Sequence, residues 1–174
     1  MSNPANALAA KPDDKYTQAL FIQAFMKGTT HTLSVQCSYQ VQAQPLSLFA
    51  PNAQLPADIC GVIGLVSSVF VGSVSICFPK KVFLDIVGGM FGETYPEITD
   101  ELSDGAGELL NIIFGTAKTE LTNVGFRVDK AIPTIMRGDN ISLRTVVPGG
   151  KTILVPFTHG SEKFHMLIGL GEVK

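Results

Sequence analysis

Asp104, Glu108 and Asn111 stand four and three residues apart, the spacing that places side chains on one face of an α-helix. Leu102, Ala106, Leu109, Leu110, Ile113, Ala117 and Leu121 recur at helical spacing on the other side. A helix over 99–125 therefore has an apolar face to bury and a polar stripe to present. Gly115 and Lys118 continue the stripe, and Gly105 and Gly107 stand beside or within it. Each glycine in a helix interior costs about 1 kcal/mol relative to alanine. Close approach of another backbone is the usual gain that offsets such a cost. A solvated face with incidental glycines produces the same pattern, and the spacing establishes only that the three side chains share a face.

Other chemistries lack the groups they need. Gly105-Ala106-Gly107 has neither the third glycine nor the preceding strand of a dinucleotide fingerprint, and no P-loop or nucleophile-elbow motif occurs. His159 and His165 lie around an expected turn with no carboxylate or cysteine placed to complete a metal site. Both read as ordinary strand or turn histidines. Cys37, Cys60 and Cys77 form no CxxC and have no identifiable activating base, so they read as small buried hydrophobes of a reducing compartment.

The elements that must hold the stripe belong to one domain. At 174 residues the length prior gives a single unit, expected over 14–174, behind a poorly ordered tail, residues 1–13, that contains Pro4 and Pro12. Hydrophobic residues make up 45 % and charged residues 16 %, which excludes disorder over most of the chain. Thirteen basic and fifteen acidic residues leave a net charge of −2, with no electrostatic footprint for nucleic acid or an anionic membrane. Met1–Asp13 has no basic region leading into an apolar stretch, so no signal peptide is expected and a cytoplasmic address follows. No charge interrupts the run between Asp58 and Lys80. Its serines and its alternation of Phe70, Gly72, Val74 and Ile76 with Val71, Ser73, Ser75 and Cys77 read as paired strands, not a membrane span.

In chain order, a helix is expected from Asp14 to about Lys27, stopped by Gly28, then a strand alternating through Leu33, Val35, Cys37, Tyr39 and Val41. Pro45 to Pro56 reads as a loop laid over the body. Ile59–Val66 and Val69–Phe78 make a hairpin turning near Ser67-Ser68. A short helix, Lys80–Val87, ends at Gly88-Gly89. The long helix follows, with Thr99 as N-cap and Asp100 and Glu101 complementing its dipole. Three more strands are expected: from Ile132 past Pro133 to about Leu143, Lys151–Thr158, and Lys163–Leu170, with His159-Gly160 marking the last turn. Each half is thus a helix followed by three strands. The expected fold class is α+β: a two-layer, pseudo-repeated domain with helices packed on a mostly antiparallel sheet.

The series Asp104-x3-Glu108-x2-Asn111, followed by Pro133-Thr134, resembles the signature of the CheC/CheX/FliY chemotaxis phosphatases. That signature is an Asp or Ser, then Glu and Asn at these spacings on a long helix, with a downstream proline. The hairpin Ile59–Phe78, the segment from Val82 to the Gly-Gly-Met-Phe-Gly ending at Gly92, and the strands from Ile135 to Leu170 also resemble the CheX order of elements, which is weakest before Asp58. The first helix has no Glu-x-x-Asn, so one site is expected, as in CheX, and not the two of CheC.

The resemblance implies hydrolysis of the aspartyl phosphate on a CheY-like response regulator. Asn111 would hold the attacking water in line with phosphorus, since an amide offers both an acceptor and donors without ionising. Glu108 would pair with the regulator's lysine, Asp104 would support docking, and Gly105, Gly107 and Gly115 would let the regulator's loops approach. Mg2+ would sit on the regulator, with no cofactor or metal on this chain. A homodimer joined through a sheet edge is expected. Two other readings stay open: a regulator-binding or flagellar-switch-type module without hydrolysis, and a structural domain whose stripe is mere surface. Pro133 reads as a residue that sets a loop's path.

Overall fold

Helix α1 (Lys15–Cys37) opens the computed structural model, which describes residues 15–50, 53–67, 70–143, 147 and 150–172. The expected tail, 1–13, and Ser68 of the expected hairpin turn lie outside the described residues. α1 does not stop at Gly28. It crosses the long helix there, where a Cβ on Gly28 would meet the Ile113 carbonyl oxygen at 2.9 Å. The expected strand over Leu33–Val41 is corrected accordingly: Leu33 and Cys37, four apart, are buried in the last turns of α1, while Val35 between them is exposed. The helix ends where Ser38 turns left-handed (φ 51°) and the Tyr39 N–H donates to the Leu33 carbonyl oxygen. The short strands β1 (Gln42–Ala43) and β2 (Ser47–Leu48) follow, so the proline-bearing stretch expected as loop contributes a strand pairing.

Strands β3 (Ala57–Val66) and β4 (Phe70–Phe78) form the expected hairpin. Helix α2 (Lys80–Phe91) then runs through Gly88-Gly89 and is capped by Gly92 (φ 73°), whose N–H donates to the Gly88 carbonyl oxygen. Helix α3 (Asp100–Asn123) is the long helix. Strand β5 (Asp129–Lys130), which the sequence reading did not single out, precedes β6 (Thr134–Ile141), β7 (Lys151–His159) and β8 (Glu162–Glu172).

All the pairings are antiparallel. Across the sheet the order is β1 and β2 beside β7, then β8, β4 and β3, with β5 and β6 beside β3. That order has a two-fold logic. α1 leads to an edge (β1, β2) and a hairpin (β3, β4); α3 leads to an edge (β5, β6) and a hairpin (β7, β8). Each unit's edge pairs with the other unit's hairpin, and β4 meets β8 at the centre. The pseudo-repeat read from the element order is therefore an interleaved one.

The helices cover one face of the sheet. Phe21 and Phe25 of α1, Phe70, Phe78, Phe83, Phe157 and Phe164 are fully buried there with Ile59, Ile63, Ile76 and Met166. Phe21 meets Phe70 edge-on at 4.4 Å between ring centroids, and Phe164 stacks on Phe157 at 5.1 Å. Each such side chain contributes about 1.5–3 kcal/mol through removal from water. Among the described residues, no helix is long and apolar enough to cross a membrane.

Candidate functional site

α3 buries the apolar face read from its sequence: Leu102, Ala106, Leu109, Leu110, Ile113, Ala117 and Leu121. Its start is fixed by Thr99, whose hydroxyl accepts from the Leu102 N–H at 3.2 Å. Arg137 of β6 ties that end to the sheet, donating to Asp100 Oδ1 at 2.6 Å, Ser103 Oγ at 3.2 Å and the Ile98 carbonyl oxygen at 3.1 Å. Nothing in the local sequence marks Arg137 for this role, because the contact spans distant elements. Two close approaches grip the inner face of α3. Gly61 of β3 lies so near that a Cβ there would stand 3.4 Å from the Ala106 carbonyl oxygen, and Gly28 abuts Ile113 and Ala117. The segment between these two grips carries Glu108 and Asn111.

Asp104, Glu108 and Gly115 are exposed and Asn111 is half-buried, so the stripe does face outward. Among the described residues no side chain pairs with the Glu108 or Asp104 carboxylate, and a Cβ on Gly115 would meet nothing within 4 Å. Gly105 and Gly107 are different. Both are buried: a Cβ on Gly105 would stand 3.4 Å from Val87 of α2, and one on Gly107 would stand 3.4 Å from Ile135 and 3.8 Å from Pro133. Their small size admits α2 and the β5–β6 segment of this same chain, which corrects the expectation that they receive a partner's loops. The contact at Gly107 also brings Pro133 back against α3, within one turn of Glu108 and Asn111.

A further group enters from β5. Lys130 Nζ donates to Asn111 Oδ1 at 2.7 Å. The same ammonium lies 5.9 Å from the centroid of the buried Phe114 ring, where Lys118 Nζ also lies at 5.8 Å. Lys118 pairs with Asp129 at 3.2 Å. The outward stripe thus joins a bare carboxylate to an amide whose oxygen is already engaged by a cation.

The other titratable candidates are structural. Burial pushes the Cys37 thiol up to about 11, and a hydrogen bond with Cys60, together with burial, raises Cys77 far above the ordinary thiol range. A thiolate nucleophile is disfavoured at both. His159 stacks on Tyr39 at 4.0 Å and bonds the Gln40 carbonyl oxygen through Nδ1, while burial and Lys163 hold His165 below the usual histidine value. Among the described residues no three His, Cys, Asp or Glu side chains converge on a metal position.

Against this geometry, the family model described as chemotaxis phosphatase CheX matches residues 59–158. The chain belongs to the CheX family. The matched stretch starts at β3 and includes α3, Lys130 and Pro133, while α1 falls outside it. The fold is similar to that of a CheC-like superfamily protein from Shewanella sp. PV-4, at 28 % identity over 87 % of this chain and 97 % of that one, with a TM-score of 0.81. It is equally similar to the chemotaxis protein CheX from Vibrio vulnificus, at 27 % identity over 86 % and 98 %, TM-score 0.81. A more distant CheX, from Borrelia burgdorferi and in complex with CheY, BeF3 and Mg2+, shares the fold at 22 % identity over 87 % and 98 %, TM-score 0.73. No curated protein matches the chain.

Proposed function

We propose that this protein hydrolyses the aspartyl phosphate of a phosphorylated CheY-like response regulator. The observation that carries the reading is the outward Glu108–Asn111 pair, one turn apart on a helix gripped on its inner face on either side of the pair. Membership of a chemotaxis phosphatase family supports the reaction class, and a protein of the same fold in complex with CheY supports the partner class.

Catalysis of phosphoryl transfer is mostly positioning and electrostatics. Asn111 holds a water in line with phosphorus. The water oxygen bonds to phosphorus as the bond from phosphorus to the aspartate oxygen breaks, releasing phosphate and restoring the carboxylate. Glu108, which no side chain of the described residues neutralises, pairs with the regulator's lysine and sets the reach of Asn111. Asp104 one turn earlier supports docking, and the open surface at Gly115 leaves room for the partner's backbone. Mg2+ belongs to the regulator and supplies charge neutralisation at the phosphoryl group there. The protein works in the cytoplasm, as a homodimer joined through a sheet edge.

The test charges CheY-like regulators with a small phosphodonor and follows phosphate loss with and without this protein. Asn111→Ala abolishes the acceleration, about a hundredfold in rate, with regulator binding retained. Glu108→Ala raises the half-saturating concentration instead. Binding of the phosphorylated regulator with an unchanged phosphate lifetime would replace the phosphatase by a non-catalytic, switch-type interaction module.

A further inference from the structure

Resting on the phosphatase reading, we infer that Lys130 is a positioning residue that fixes the side-chain amide of Asn111 in its working orientation. The terminal torsion of an asparagine is broad and roughly two-fold, so an amide on a helix surface exchanges its oxygen and its NH2 unless something selects between them. Lys130 does select, because an ammonium is a donor only and the amide oxygen must face it. At 2.7 Å the contact is a charge-assisted hydrogen bond. The oxygen keeps a second lone pair for a water, and the NH2 group is turned away from the lysine, free to donate to phosphoryl oxygens.

The lysine is itself well placed to act as a fixed point. Its backbone lies in β5, opposite Leu65 of β3, so its origin is set by the sheet and not by a loop. Its ammonium rests over Phe114, a ring that is 4 % exposed and belongs to the core. Orientation therefore passes from the sheet through Lys130 to Asn111, while the backbone of Asn111 is held by α3. The neighbouring Lys118 shares the Phe114 ring but is paired with Asp129, and Asn111 is bonded by Lys130. It serves as the control for charge without contact.

The test measures phosphate release from the charged regulator over a range of regulator concentrations for wild type, Lys130→Met, Lys130→Arg and Lys118→Met. Lys130→Met keeps the stem over Phe114 and removes the donor. It lowers the maximal rate roughly threefold to tenfold, the cost of freeing one ordered side chain, with little change in the half-saturating concentration. Lys130→Arg recovers most of that rate, and Lys118→Met stays within about twofold of wild type, as expected for a surface charge. In parallel, NMR of the Asn111 side-chain amide finds it ordered in wild type and mobile in Lys130→Met. A maximal rate unchanged in Lys130→Met, a change in half-saturation alone, or an equal loss in Lys118→Met would overturn the inference. An ordered Asn111 amide that loosens in Lys130→Met, in a wild-type protein that never accelerates phosphate loss, would overturn the phosphatase reading instead and leave the fixation of the amide standing.

Discussion

An exposed ammonium beside an amide does different work from a half-buried imidazole, and this chain has both. Lys130 engages Asn111 at the outer face of α3, whereas His165 lies half-buried on β8 opposite Cys77. Burial, with Lys163 second, lowers the folded-state pKa of His165 from 6.5. The unfolded chain therefore takes up the proton first as pH falls, and the unfolding free energy contributed by the neutral ring is complete above 6.5 and is lost below it. His165→Gln should flatten the decline in stability between pH 7 and acid, seen as a smaller change in urea midpoint across that range; an identical profile for both proteins would contradict the assignment. That Glu108 and Asn111 share the outward face of α3 was legible because a helical face needs only local spacing. Lys130 was not, since it lies nineteen positions further along the chain, past the end of α3 and a loop. The same local view misplaced Gly105 and Gly107. Their lack of a side chain signals close approach, but the approaching elements, α2 and the Pro133–Ile135 segment, are known only once the chain is folded.

At the scale of elements, the site is as rigid as the packing of α3, and two glycines separate that packing from helix propensity. Gly115 is open, so Gly115→Ala should stabilise the protein by about 1 kcal/mol through propensity alone. Gly28→Ala gains the same intrinsic preference but drives a Cβ against the Ile113 carbonyl oxygen, and forcing α1 from α3 costs roughly 1–3 kcal/mol. A urea midpoint that rises for Gly115→Ala and falls for Gly28→Ala is expected; a rise in both would mean the helices do not meet at Gly28. This crossing also explains why α1 outran its expected end. Glycine, threonine and serine between Gly28 and Cys37 weaken the local helical signal, yet Gly28, Thr29, Thr32, Leu33 and Cys37 are all buried within the helix. Thr29 and Thr30 satisfy their hydroxyls on carbonyl oxygens one turn back, at 2.8 and 2.9 Å. Tertiary packing overrode a period-two pattern. The hairpins were legible because their alternation runs over eight or more residues, while β1, β2 and β5, two residues each, are too short to leave a period.

For the whole molecule, the α+β, two-layer arrangement followed from the element order, but the crossing of each unit's edge to the other unit's hairpin did not. Sequence order says which strands exist; the pairing of β5 and β6 with β3, and of β1 and β2 with β7, is decided by which core the two units share. The arrangement leaves β6, eight residues long and paired to β3, at one side of the sheet. An edge of that length is a surface for a second copy to pair with. Sedimentation should find a species of twice 18.6 kDa at micromolar concentration, and a single 18.6 kDa species would contradict the dimer.

The most direct test of the phosphatase function is the phosphate lifetime of a charged CheY-like regulator saturated with this protein, compared with the same regulator saturated with Asn111→Ala. The proposed function predicts a lifetime shortened by wild type and returned to the spontaneous value by the variant, with both proteins bound. Equal lifetimes in the two complexes would contradict it.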